Sequence, residues 1–141
     1  MNSGICFNWS KYLDLAKELG SSNSEESNEA KLRSSISRAY YAAFCKARIY
    51  LRDIEKDPRL QPQNYPNKDF NVHQYVIDNL KSRKKKEEKE LVKIGEYLFR
   101  LRQQRNKADY DDFVSSLPSS VKQAISSAEL AISELDTYNR K

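Results

Sequence analysis

Glycine and proline are scarce in this 141-residue chain, three and four residues respectively, and that scarcity removes most β-rich architectures. Closely spaced strands need turns, and turns draw on the positive φ open to glycine and the fixed φ of proline. No segment alternates apolar and polar residues in a sustained way. The two cysteines, Cys6 and Cys45, stand apart. Cys45 falls within an apolar helical segment, where a free thiol behaves as a small hydrophobe. With His73 as the single histidine, a Cys/His zinc site has no ligand set, and neither metal nor other cofactor is expected. No apolar run approaches the roughly 20 residues of a membrane-spanning helix. A charged-then-apolar leader is missing too, so the expectation is a cytoplasmic chain without a membrane partner. Gly-rich phosphate loops, nucleophile elbows and paired-carboxylate motifs are absent as well.

What remains is helical. Aromatic residues make up 11 %, with nine tyrosines, more than a disordered chain carries and enough for a packed core. The length suits one domain over residues 1–141, with an N-terminal helix and linker in 1–23 and a larger bundle in 24–141. The apolar stripes predict an all-α, five-helix up-and-down bundle. The first helix covers residues 9–19, with Trp9, Tyr12, Leu13 and Ala16 on one face and Gly20 as a left-handed stop. A polar linker over 21–27 offers a capping box from Ser22 to Glu25 or from Asn23 to Glu26. A long second helix spans 25–54 and is apolar nearly all round between Ala39 and Ala47, so it should be central to the bundle or to a subunit seam. Residues 57–69 hold three of the four prolines and read as a loop. Helices over 72–82, 85–108 and 118–138 complete the chain, with Pro118 suited to a first turn.

The fourth of these helices carries an arginine on its inner face. Its stripe reads Leu91, Ile94, Leu98, Leu101, Arg105, Ala108, in steps of three and four. An inward guanidinium is costly unless it meets a carboxylate, a carbonyl or an anion. Asp109, one turn on, is the nearest candidate. Two readings follow: a structural ion pair with Asp109, which is preferred, or a phosphate ligand facing a groove.

That segment, Arg105-Asn106-Lys107-Ala108-Asp109-Tyr110, together with Ser37-Arg38-Ala39-Tyr40-Tyr41-Ala42 upstream, resembles the HEPN family of small helical domains. The resemblance runs from about Ser24 to the end. It implies a HEPN-like bundle that dimerises through its motif helices, often beside a separately encoded minimal nucleotidyltransferase, as a binding or toxin–antitoxin-type module. Active members of the family cleave RNA without a metal. An arginine holds the phosphate, and a histidine four to six positions later moves the proton. Here Arg105 and Asn106 match, but positions 110–112 are Tyr110, Asp111 and Asp112. Tyrosine is a poor proton shuttle at neutral pH, and a carboxylate repels phosphate. The departure favours the binding module. Its alternative is a metal-independent endoribonuclease with a composite Arg105, Asn106 and Tyr110 site at the dimer groove. If the two motif helices pack together, Arg38 could reach Asp109 as a second structural clamp, or it could line the dimer groove.

The net charge of +5 and pI near 9.1 lean toward an acidic partner such as RNA. Much of the excess sits in Lys81, Arg83, Lys84, Lys85 and Lys86, to which Arg102 adds one more candidate nucleic-acid contact. The competing reading of that run is a solvated helix start paired across turns with Glu87, Glu88 and Glu90. Tyr40, Tyr41 and Tyr110 could stack on bases, although helical spacing favours core packing. His73 is expected near a helix start, partly exposed or bonded to the 57–69 loop; a catalytic role would require Arg105 close by.

Overall fold

The computed structural model describes residues 7–21, 28–64 and 70–140. Among them there is no strand, and five α-helices carry the fold: α1 (Ser10–Gly20), α2 (Glu29–Ile49), α3 (Val72–Lys81), α4 (Lys89–Tyr110) and α5 (Leu117–Asn139). Helix α2 packs against α1, α4 and α5, while α3 packs against α4. That central place explains why α2 buries residues on almost every side, including Ile36, Ala39, Tyr40, Ala43, Phe44 and Ala47. The alanines keep the helix axes close. None of these helices is long and apolar enough to cross a membrane.

The stripes predicted the helices, and the structure adjusts their ends. The α-helical part of the second helix stops at Ile49, and its last turn, Tyr50–Ile54, widens to π geometry. Glu55 N–H there reaches back to Tyr50 carbonyl at 3.2 Å, a five-residue bond that one inserted residue produces. Residues 25–27 and the two candidate capping boxes lie outside the described residues. Before α4 the chain makes a 3₁₀ turn, Lys86–Glu88, so the α-helix begins four residues later than predicted and runs on to Tyr110. The described part of the 57–69 loop is tethered rather than free. It holds 3₁₀ turns at Pro58–Leu60 and Pro62–Asn64. Leu60 is fully buried, and Tyr75 hydroxyl donates to Asp57 Oδ2 at 2.6 Å.

Gly20 differs from its expected role. It is the last residue of α1, and no described glycine has positive φ. A side chain there would meet Val121 Cγ1 at 2.9 Å and Ser35 Oγ at 3.0 Å, so close packing selects the glycine. Gly95 is placed the same way on α4, where an added Cβ would lie 2.9 Å from Lys81 N and 3.0 Å from Leu80 Cβ. Gly-to-Ala inside a helix normally stabilises by about 0.5–1 kcal/mol. At Gly95 the obstacle is backbone, so overpacking of about 1–3 kcal/mol should win. We expect Gly95→Ala to lower the thermal midpoint. A rise would mean that α3 yields freely.

Arg33 fixes the far end of α4. Its guanidinium donates to Ala108 carbonyl at 2.9 Å, Asp111 carbonyl at 2.7 Å and Asp112 carbonyl at 3.3 Å, while Nε donates to Glu29 Oε2 at 3.0 Å. Carbonyls at a helix end have no partner within the helix, and a cation there also suits the helix dipole. The arginine thereby holds the turn that follows the Arg105 segment.

Candidate functional site

Three helices bring one residue set together. From α2, Tyr40 and Phe44 lie one turn apart and Tyr41 beside them. His73 enters from the first turn of α3, whose Asn71 Oδ1 caps Gln74 N–H at 3.0 Å. Arg102 and Arg105 arrive from α4, again one turn apart. The imidazole of His73 stacks on Phe44 with ring centres 4.3 Å apart, and its Nδ1 lies 2.6 Å from Tyr40 hydroxyl. Burial first, then the charges of Arg102, Arg105 and Arg48, hold the His73 pKa down at about 4. The ring is therefore neutral at pH 7. Burial pushes the Tyr40 hydroxyl well above its ordinary range. With both groups neutral, tyrosine donating to Nδ1 satisfies both of them and assigns the ring proton to Nε2.

Arg105 is 8 % exposed, inward as its stripe requires. Its guanidinium carbon sits 5.4 Å from the Tyr40 ring centre and 5.3 Å from that of Tyr41. The expected pair with Asp109 is present but loose: Nη1 to Oδ2 is 3.8 Å, and the aspartate side chain is 30 % exposed. That distance is outside hydrogen-bond range. Arg105 Nε is buried without a hydrogen-bond partner, and so is Arg102 Nε. Arg105 therefore rests on two aromatic faces and a distant carboxylate. Beside them a groove of about 170 Å³ runs between α3 and α4, lined by Gln74, Ile77, Asp78, Phe99, Arg102, Gln103 and Asn106.

The other candidate residues distribute as follows. Asn106 lines the groove, whereas Tyr110 does not and is 75 % exposed at the end of α4. The Arg38–Asp109 clamp is not formed. Arg38 lies 5.2 Å over the ring of Tyr12 on α1. It is five residues beyond Arg33, roughly 140° round the helix, so the face that meets α4 carries Arg33 and Tyr40 instead. Lys81 Nζ sits 4.0 Å from the Phe99 ring centre, at the groove's rim. Arg83 is spent on Glu55, Glu88 and Asn79, which separates it from the exposed Lys84, Lys85 and Lys86.

Family models, curated proteins and solved structures gave no match to this chain. The geometry has to speak for itself. Chemically it offers the half-buried Arg102 guanidinium with Arg105 buried one turn behind it, amides from Gln74, Gln103 and Asn106, and the partly exposed ring of Phe99. These are donors for an anion with an apolar neighbour. The Tyr40–His73 pair was not legible as a site, since neither residue lies near the other in sequence.

Proposed function

We propose that this chain is a HEPN-like helical domain that binds the phosphate backbone of RNA in the α3–α4 groove. One observation carries the reading: Arg102 and Arg105 both have buried Nε atoms without a partner, one of them bordering an open groove. A guanidinium without a protein partner is expensive to leave so, and a phosphate oxygen that meets the terminal N–H groups of Arg102 from the groove is the acceptor that arginine geometry suits best. Phe99, 42 % exposed, is a stacking platform for a base beside the phosphate. Lys81 at the rim and Lys84 to Lys86 beyond it extend the positive surface along a strand. Asp78, also in the groove wall, works against any anion on its side of the groove.

Fluorescence anisotropy with a labelled single-stranded oligoribonucleotide tests this directly. Affinity should fall steeply as salt rises, and Arg102→Ala should weaken it about tenfold or more at fixed salt. Absence of binding by the wild type at low salt would reject the reading.

RNA cleavage is the second reading, kept by one observation. The sole imidazole is hydrogen-bonded to a tyrosine whose ring carries Arg105. Product formation in chelator would favour it over simple binding. The dimer and the nucleotidyltransferase partner remain proposals from the resemblance alone. The exposed Tyr110 and Phe113, 75 % and 81 %, are the apolar surface such a seam would use. A sedimentation mass of one chain would remove the dimer and leave the groove standing.

A further inference from the structure

We propose that His73, behind the groove, is its proton-linked sensor: a phosphodiester held by Arg102 draws a proton onto the His73 imidazole, so that RNA binding tightens as pH falls. The inference rests on the groove reading above and assigns that site its regulation. The geometry comes first. His73 is locked by stacking on Phe44 at 4.3 Å and by its 2.6 Å bond to Tyr40, and the same tyrosine ring carries Arg105 at 5.4 Å. Imidazole and guanidinium thus share one aromatic support.

The groups facing His73 are Tyr40, Tyr41 and Arg48 from α2 and Arg102 and Arg105 from α4; its neighbour on α3, Gln74, is neutral. Burial, and after it the positive charges of Arg102, Arg105 and Arg48, keep the free ring neutral down to about pH 4. An anion seated against Arg102 offsets the largest of those charges at the ring. An opposite charge within reach moves a pKa by about 1–3 pH units. A two-unit rise would tighten binding about tenfold between roughly pH 7 and pH 5, because the proton and the anion help each other by the same factor. On protonation Nδ1 becomes a donor, so Tyr40 has to turn its hydrogen away and accept.

Because His73 is the only histidine, one imidazole resonance reports on this single site. The experiment follows its NMR titration with and without a short 2′-O-methyl oligouridylate, whose diesters and uracil rings keep one charge state across that range and which cannot be cleaved. Anisotropy gives the affinity at each pH, and circular dichroism checks the fold. The His73 midpoint should move up by about 1–3 pH units in the complex. A His73→Gln protein should bind with an affinity that no longer depends on pH. Binding with an unmoved His73 midpoint, or an unchanged pH slope in the variant, overturns the proton link and spares the groove. No binding at any pH overturns both. Should His73→Gln fail to fold, the wild-type titration still decides.

Discussion

Replacing Arg105 by methionine should leave the domain as stable as before, or more stable by about 1–2 kcal/mol, while its affinity for RNA falls about fivefold. The two halves of this expectation have different causes. Methionine keeps most of the stem over Tyr40 and Tyr41 and removes a buried charge whose Nε has no partner. Exchange of a poorly matched buried ion for an apolar group of similar volume is often neutral or stabilising. What stability is given up is the attraction of the cation for two ring faces, about 0.5–2 kcal/mol, and a contact with Asp109 too long to be a hydrogen bond. Binding loses the pull of a second positive charge one turn behind Arg102, about 1 kcal/mol across that distance. Urea denaturation and oligonucleotide titration on the same preparation measure both halves. A stability loss of about 3–5 kcal/mol with intact binding would restore the ion pair to Asp109 as the reason for this arginine.

That contest shows how far the sequence could be read. The inward position of Arg105 was legible, because five apolar residues in steps of three and four fix the face on which it lies. What it meets was not, because the tyrosine rings under it come from another helix and Asp109 turns partly to water. Helix existence followed from the stripes in all five cases. The π turn at Tyr50–Ile54 did not, since a one-residue widening leaves the stripe almost unchanged. Gly20 looked like a left-handed stop because such a residue commonly ends a helix; its real constraint is the side chain of Val121, a hundred residues on. That Arg33 rather than Arg38 meets the end of α4 is hidden in the same way. Both lie on α2, and only the placement of α4 tells which one faces its end. His73 illustrates the limit most sharply. It was expected partly exposed or bonded to the 57–69 loop, yet it bonds Tyr40 on α2, because the distance between α2 and α3 is a tertiary quantity.

The basic run 81–86 should split into two kinds of residue on mutation. Arg83→Ala is expected to cost about 2–3 kcal/mol, lowering the thermal midpoint by about 5–10 °C, without weakening RNA binding at a temperature where the protein is folded. Its guanidinium bonds Glu55 Oε1 at 2.7 Å, Glu88 Oε2 at 2.8 Å and Asn79 Oδ1 at 2.7 Å. Those partners sit after the π turn, on α3 and in the turn before α4, so one side chain ties three segments. The arginine side chain is 16 % exposed, Glu55 28 % and Glu88 18 %. Removing it strands two carboxylates that are mostly shielded, though water can still reach them, which keeps the loss below that of a fully buried pair. Lys84, Lys85 and Lys86 are exposed and lead into a helix N-terminus, where positive charge opposes the dipole. Changing all three to glutamine should leave the thermal midpoint unchanged or slightly raised. The same change should flatten the salt dependence of RNA binding, because fewer counterions are then exchanged. Thermal melts and salt-dependent titrations of the two variants separate the roles. An Arg83→Ala protein that melts like wild type and loses RNA affinity would place Arg83 with the lysines, as a contact to the strand rather than the knot between three segments.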